Sequence, residues 1–324
     1  MQVGFIGLGN VGAKLAGTLI RNKIPTFIHD IEKSSAINLI KMGCNWLDTP
    51  EDITSKSDCI ITCLPSPKAS ADVIEGDKGI FKAASEKKIW IEMSTTQSSE
   101  VKRLAKKLLE KGMHSADCPV SGGCHRAETG NIAIFAGCER SVFEIIKPLL
   151  CTLGKKILHT GPLGSASTLK VMTNYLATTH LVACCEALVV MKAAKIDLST
   201  TFQAIKISSG NSFVHETESQ VILNGSRDIN FTLDLVAKDI SLFQEIATEN
   251  NVPLEISPLL NKIVKNAISK LGARANSPSI ISLLEKQTGL EILAPGFPAQ
   301  IKDNEPESVG VEIKPTNGQQ KEVT

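Results

Sequence analysis

The sequence predicts an α/β fold in which an N-terminal doubly wound sheet is followed by an all-α C-terminal domain, the two joined through a long shared helix. Three observations lead there. Over residues 1–163 short apolar runs alternate with amphipathic stretches, the signature of βα units on a parallel sheet. Roughly from Ser167 to Ala194 runs one long apolar helical pattern, and over 164–290 no convincing strand follows it. At 324 residues and 42% hydrophobic composition, the chain can bury cores for two such domains.

In chain order, strands are expected at Val3 to Gly7, Thr26 to His29, Cys59 to Leu64, Ile89 to Glu92, His114 to Asp117 and Ile132 to Ala136. Helical patterns separate them. In one, Val101, Leu104, Ala105 and Leu108 recur at helical spacing before Gly112 stops the run. After the long helix, further helices are expected at 200–208, 211–223, 232–250, 256–271 and 277–287, forming a substrate and dimerisation domain. Residues 291–324 are rich in Pro, Gly, Asn, Gln and charge and lack a helical period, which predicts a disordered, solvated tail; Val309 to Ile313 alternates and is its one piece able to dock.

Charge excludes some functions. With 35 Lys+Arg against 34 Asp+Glu, the chain has no global field to hold a polyanion or an acidic membrane surface, so no nucleic acid or membrane partner is expected. The nine cysteines are scattered without a CxxC pair, which fits buried thiols in a reducing compartment. The chain opens on an apolar strand with no basic leader ahead of it, so a cytoplasmic location is expected. Glu186 interrupts the apolar stretch Leu181 to Met191 far short of the ~20 residues of a membrane span, which predicts a core helix.

The chemistry begins at the first turn. Gly7-Leu8-Gly9-Asn10-Val11-Gly12 is a GxGxxG run placed directly after a strand and at the head of a helix. Its glycines allow a tight turn, backbone approach to a pyrophosphate and close helix–strand packing, with phosphates on the helix N-terminus. Alone the pattern is weak; its context makes it a Rossmann-type dinucleotide site. Asp30 ends the second strand about 20 residues on, where a carboxylate accepts from both ribose hydroxyls and repels a 2′-phosphate. No arginine follows in Ile31 to Ala36, so NAD is favoured over NADP, although Glu32 and Lys33 soften the inference.

Leu64-Pro65-Ser66-Pro67 and Ser94-Thr95-Thr96 end two strands on the side where open α/β sheets bind ligands, which suits them to the nicotinamide half; they also read as ordinary turns. In Asp117-Cys118-Pro119-Val120-Ser121-Gly122-Gly123, two glycines after a serine expose consecutive amides suited to a carboxylate, though a plain turn looks similar. Lys170 and Asn174 share one face of the long helix. A buried ammonium there needs a polar partner, which a cleft between domains would supply, while a lysine snorkelling from the helix start satisfies the same pattern. Lys238 and Asp239 form a charge pair in an amphipathic helix, the usual sign of a solvated face. The six histidines show no ligand spacing and no Cys/His cluster has zinc periodicity, so no metal is implied; His125 is read as a surface residue near the substrate turn.

Taken together, these residues resemble the β-hydroxyacid dehydrogenase family, which includes 3-hydroxyisobutyrate dehydrogenase and tartronate semialdehyde reductase. The likeness runs from Val3 to about Gly289 in four ordered blocks: GFIGLGNVG; DCPVSGG with Thr129-Gly130-Asn131; Gly161 to Asn174; and Asn230 to Asp239. The resemblance implies that Lys170 is the catalytic lysine, that Ser121, Gly122, Gly123 and Asn174 bind substrate, that Pro65 and Thr95 contact the cofactor, and that Lys238 reaches toward the nicotinamide. It reverses the plainer readings of Lys170 and Lys238. The sequence departs from the family at Ala69, at Gly164-Ser165-Ala166-Ser167, at Tyr175 and at Cys124-His125-Arg126, which bear on the substrate more than on the reaction.

The expected reaction moves a hydride between NAD and a short 3-hydroxy acid or its semialdehyde, with Lys170 accepting or returning the hydroxyl proton. A homodimer or homotetramer is expected from the apolar long helix. Two other readings stand beside this one: a noncatalytic dinucleotide-binding scaffold, against which the lysine at 170 argues, and a 6-phosphogluconate-like phosphosugar dehydrogenase, whose much longer helical domain is missing.

Overall fold

The computed structural model describes residues 1–315. The chain divides into two compact units, Met1–Lys170 with Asn304 onward, and Val171–Asp303. The long helix therefore begins in the first unit and continues as part of the second, and the chain returns to the first at its end.

The first unit is one ten-stranded sheet built from β1 (Val3–Ile6), β2 (Thr26–His29), β3 (Asn45–Trp46), β4 (Cys59–Thr62), β5 (Ile89–Glu92), β6 (His114–Asp117), β7 (Val120–Ser121), β8 (Ala133–Gly137), β9 (Lys156–Gly161) and β10 (Val311–Ile313). The path is β10-β9-β8-β6-β5-β4-β1-β2-β3, with β7 pairing β8 beside it. Pairs are parallel except β6 with β8 and β7 with β8, which are antiparallel. Every residue of β1, β4 and β5 is buried, as continuous apolar strands covered on both faces must be. The order turns back at β1, between β2 and β4, the switch point at whose carboxyl ends ligands of such sheets bind.

The first unit's helices are α1 (Gly12–Arg21), α2 (Ile37–Lys41), α3 (Pro50–Lys56), α4 (Pro67–Glu75), α5 (Ile80–Ala83), α6 (Ser98–Leu109), α7 (Cys124–Glu128) and α8 (Arg140–Leu153). Local chemistry starts several of them: Thr49 caps α3 through the Asp52 amide and Ser66 caps α4 through the Ala69 amide, each with proline at the first helical position. α6 buries Val101, Leu104, Ala105 and Leu108, the stripe its spacing predicts.

The second unit is helical. The later turns of α9 (Ser165–Ala193) pack Leu181, Cys185, Leu188 and Val189 into a core shared with α10 (Leu198–Lys206), α11 (Phe213–Asn224), α12 (Leu233–Glu249), α13 (Ile256–Leu271) and α14 (Ile281–Thr288). Asp197 and Ser212 cap α10 and α11, and Gly225 ends α11 in the left-handed conformation.

Three expectations are corrected. The sheet has strands the apolar pattern does not show, β3, β7, β9 and β10, each short or mixed with polar residues. Helix α9 is long and apolar enough to cross a membrane, and only 33% of its most apolar window is buried, so it is a core helix on one face alone; Leu176 and Val190 stand exposed on it. The solvated tail expected over 291–324 does not hold for its described part. Ile292 is fully buried, and the Ala294 amide donates to Leu223 O at 2.9 Å. Farther on, Glu305 meets Lys155 at 2.6 Å, Glu307 accepts from Asn22 Nδ2 at 2.6 Å, and Glu312 meets Arg140 and Lys147 at 2.6 Å each. β10 adds to the open edge of β9, and the Gly310 amide donates to Cys151 O at 2.7 Å. Acidic residues that look solvating in sequence are placed against basic groups far away in the chain. The rest of the tail expectation, 316–324, lies outside the described residues.

Candidate active site

The first turn has the steric character its glycines imply. Gly7 has φ +98°, and a Cβ there would stand 2.3 Å from Cys63 O; a Cβ on Gly12 would stand 2.0 Å from Gly7 O. Neither position has room for a side chain. Gly9 is exposed and a Cβ on it would meet nothing within 4 Å, which leaves open space beside the backbone where a pyrophosphate would approach. Asn10 is exposed, Val11 half-buried and Leu8 buried. The Leu8 amide donates to Asp30 Oδ2 at 2.6 Å and the Glu32 amide to Asp30 Oδ1 at 2.8 Å, so backbone bonds fix the carboxylate at the end of β2 beside the glycine turn. These residues fit a dinucleotide: glycines only where a side chain would clash or crowd, and an acid held at the adjoining strand end.

Two neighbouring turns are tied together from below by Glu92, fully buried at the end of β5. Its carboxyl accepts from Ser70 Oγ at 2.7 Å and from the Ser94 amide at 2.9 Å, and also from Ser94 Oγ. Ser94 Oγ in turn accepts from the Leu64 amide at 2.7 Å. Burial pushes the Glu92 carboxyl up, and the hydroxyls and amide around it oppose that shift. Pro65 is exposed and Thr95 half-buried on the turns this network holds.

The expected substrate turn starts in β7 and continues through Gly122, with φ +132°, and Gly123, with φ +85°, into the short helix α7. Ser121 is half-buried and Gly123 exposed. Cys124, His125 and Arg126 are half-buried in α7's first turn. Asn131, beyond this turn, donates from Nδ2 to Glu305 O at 2.7 Å, an attachment to the returning end of the chain.

Lys170 lies on α9 and is only 7% exposed, which disfavours the snorkelling alternative. Asn174 follows one helical turn later, in the part of α9 assigned to the second unit. Within that unit, Asn174 Nδ2 donates to Asp239 Oδ2 at 2.5 Å, and Lys238 Nζ lies 3.1 Å from Asp239 Oδ1. Asp239 is 2% exposed, so the charge pair is not a solvated face. Its carboxylate draws Asn174 and Lys238, 64 residues apart in sequence, into one cluster. Sequence reasoning gave Asp239 no role of its own; the signal was an acid standing on the apolar stripe of Leu233, Val236 and Ile240, all fully buried. The sequence likewise assigns no role to Glu92, at a strand end, or to Asp117, at the head of the substrate turn.

Among the described residues the nine cysteines form no disulfide. Burial raises the thiols of Cys118 and Cys138, and that of Cys44 to about 11, away from nucleophilic readiness.

Comparison with known proteins covers the same span as these features. Residues 2–161 match a family model described as the NAD binding domain of 6-phosphogluconate dehydrogenase, and residues 164–284 match one described as NAD-binding of NADP-dependent 3-hydroxyisobutyrate dehydrogenase. The chain is 30% identical over 292 residues to mitochondrial 3-hydroxyisobutyrate dehydrogenase of Rattus norvegicus, covering 88% of this chain and 87% of that protein. It is 29% identical over 293 residues to 2-(hydroxymethyl)glutarate dehydrogenase of Eubacterium barkeri, covering 90% and 97%. Among solved structures, a 3-hydroxyisobutyrate dehydrogenase of Salmonella typhimurium superposes with TM-score 0.80 at 22% identity, over 87% of this chain and 99% of that one, and the Mycobacterium tuberculosis enzyme with L-serine gives 0.79 at 22%, over 88% and 99%. At that identity the superpositions speak for the fold.

Proposed function

The chain belongs to the 3-hydroxyisobutyrate dehydrogenase family, and on that premise we propose that it moves a hydride between NAD and a short 3-hydroxy acid, with Lys170 carrying the proton. It is a nicotinamide-dependent hydroxyacid dehydrogenase acting on CH–OH donors. The proposal lies in the substrate, in the preferred cofactor and in the roles of the residues.

The observation that carries it is the burial of Lys170 at the start of α9, in the same unit as the glycine turn and the Ser121–Gly123 turn. When bound, the nicotinamide supplies the hydride acceptor or donor. The Ser121, Gly122 and Gly123 amides hold the substrate carboxylate; Asn174 is oriented by Asp239 within the helical unit, and its substrate role rests on the family resemblance. In oxidation the Lys170 amine accepts the hydroxyl proton while the carbon–hydrogen bond gives up its electron pair as hydride; in reduction the ammonium returns the proton to the carbonyl oxygen. Lys238 is paired with Asp239 within the helical unit, and its cofactor role rests on the family resemblance. Backbone-held Asp30 supports NAD over NADP, because a 2′-phosphate would meet a fixed carboxylate.

The exposed Leu176 and Val190 on α9 support association into a homodimer or homotetramer, and nine scattered cysteines, in no disulfide among the described residues, support a reducing compartment such as the cytoplasm.

A spectrophotometric screen of NADH and NADPH oxidation against small aldehyde acids, with 3-hydroxyisobutyrate and NAD in the reverse direction, tests these readings. Lys170→Ala is expected to lower kcat by about 100-fold or more. A variant within about tenfold of wild type would rule out proton transfer by Lys170, since that loss corresponds to only ~1.4 kcal/mol. Preference for NADPH by more than about tenfold would overturn the Asp30 argument.

A further inference from the structure

Resting on the reading of Lys170 as the proton carrier, we infer that Asp117 is a positioning residue, whose carboxyl locks the start of the lysine-bearing helix to the strand that leads into the substrate turn.

Asp117 ends β6, is fully buried, and stands four residues before Ser121. Its two oxygens are used separately: Gly164 N donates to Oδ1 at 2.7 Å and Ser167 N to Oδ2 at 2.7 Å. Those amides belong to the residue before α9 and to its first turn, where backbone N–H groups have no partner within the helix. Two bonds to one rigid carboxyl fix both the position and the azimuth of that turn, and Lys170 follows Ser167 by three residues, nearly one full turn later. The direction in which Lys170 leaves the helix is thereby set against the Ser121–Gly123 turn by a single side chain.

The surroundings are shaped for this group. A Cβ on Gly137, the β8 residue in register with Asp117, would stand 2.4 Å from Asp117 Oδ1 and 2.9 Å from Ser165 Oγ. Gly164 sits at φ +90°, and a Cβ there would stand 2.5 Å from Ser98 Oγ, so only glycine fits the path the chain takes into α9. Thr160 Oγ1 and Ser165 Oγ lie 2.6 Å apart and close the same junction from β9. Burial raises the Asp117 carboxyl, and the two amides oppose that shift.

Four forms of the full chain test the inference: Asp117→Asn, Gly137→Ala, Lys170→Ala and the double variant Asp117→Asn/Lys170→Ala. In Asp117→Asn an amide N–H₂ faces a backbone N–H, so one of the two bonds is lost. Hydrogen exchange over residues 164–170 is expected to rise by about tenfold or more. With 3-hydroxyisobutyrate and NAD, kcat is expected to fall about 30-fold, while KM and the NADH dissociation constant stay within about threefold. Added to Lys170→Ala, Asp117→Asn should cost less than about twofold more, because the two act as a unit. Gly137→Ala pushes on the same carboxyl while leaving its chemistry intact, should give the same split between kcat and KM, and serves should Asp117→Asn not fold. Unchanged exchange over 164–170, or a kcat loss that adds in full to that of Lys170→Ala, would overturn the inference. Near-normal kcat in Lys170→Ala alone would overturn the lysine reading and the inference with it, and the single variant identifies that cause.

Discussion

The two units hold their functional groups by different means. In the sheet unit, geometry is set by the backbone: glycines at which no side chain fits, and carboxyls at strand ends that accept from amides of the next turn, as Asp30 does from Leu8 and Asp117 from Gly164 and Ser167. In the helical unit the buried acids rely on side chains, Asp239 binding Asn174 and Lys238, and Glu218 accepting from Ser277 Oγ at 2.8 Å. The interior of a regular helix uses up its own amides, so an acid placed there turns to side-chain partners, whereas parallel strands end in turns whose amides are free to be captured. Backbone capture gives rigidity; side-chain capture gives groups that can be exchanged without altering the fold.

That contrast breaks most sharply at the glycine turn. Gly12→Ala is expected to destabilise by about 3 kcal/mol or prevent folding, because its Cβ would meet the Gly7 carbonyl oxygen, which cannot move alone. Gly9→Ala, where a Cβ meets nothing, should leave urea denaturation unchanged and weaken NADH binding. If Gly9→Ala unfolds the protein as readily, the division between packing glycines and an approach glycine is wrong.

Asp239→Ala is the corresponding test of the helical unit. It leaves Lys238 and Asn174 without their carboxylate and should cost about 1–3 kcal/mol in urea denaturation, together with a clear fall in kcat/KM. The sheet unit should be untouched, which hydrogen exchange across β1, β4 and β5 would report. A third, smaller effect is a pH dependence. Desolvation pushes Glu218 up to about 7, with the Ser277 hydroxyl opposing it. The folded protein therefore holds this proton more tightly than the unfolded chain, so Glu218's contribution is complete below the ordinary carboxylate range and is lost as pH rises through about 7. Thermal melts should show stability declining over that interval, and Glu218→Gln should flatten the slope. A slope that persists in the variant assigns the proton elsewhere.

The smallest effect is expected where the sheet unit breaks its own rule and relies on side chains. Arg140 and Lys147 hold the Glu312 carboxyl down at about 2. Its contribution is present above the ordinary carboxylate range and is lost as pH falls through about 2. Both basic partners are substantially exposed, so Glu312→Gln should cost less than about 1 kcal/mol and raise exchange only in β10 and its neighbour β9. Loss of the whole sheet in this variant would show that the returning end of the chain supports far more than one edge.

What the sequence settled was local. The turn from Gly7 to Gly12, the acid at Asp30, the stripe of α6 and the bounds of α13 are each carried by residues within a few positions of one another, where spacing and steric freedom act before any tertiary contact forms. The lysine on the long helix was visible for the same reason. Tertiary structure decided the rest. Val311–Ile313 alternates in many sequences that never form a strand; here it is one because β9 offers an unpaired edge and because Arg140 and Lys147, more than 160 residues earlier, receive Glu312. Asp239 has the same local pattern as a solvated acid and is buried only because Asn174 comes to it from another helix. Asp117 reads as the end of a strand until α9 delivers two amides to it. A period or a turn is a property of neighbouring residues, but the partner of a buried charge is set by how distant segments close on one another, and sequence spacing carries no record of that closure.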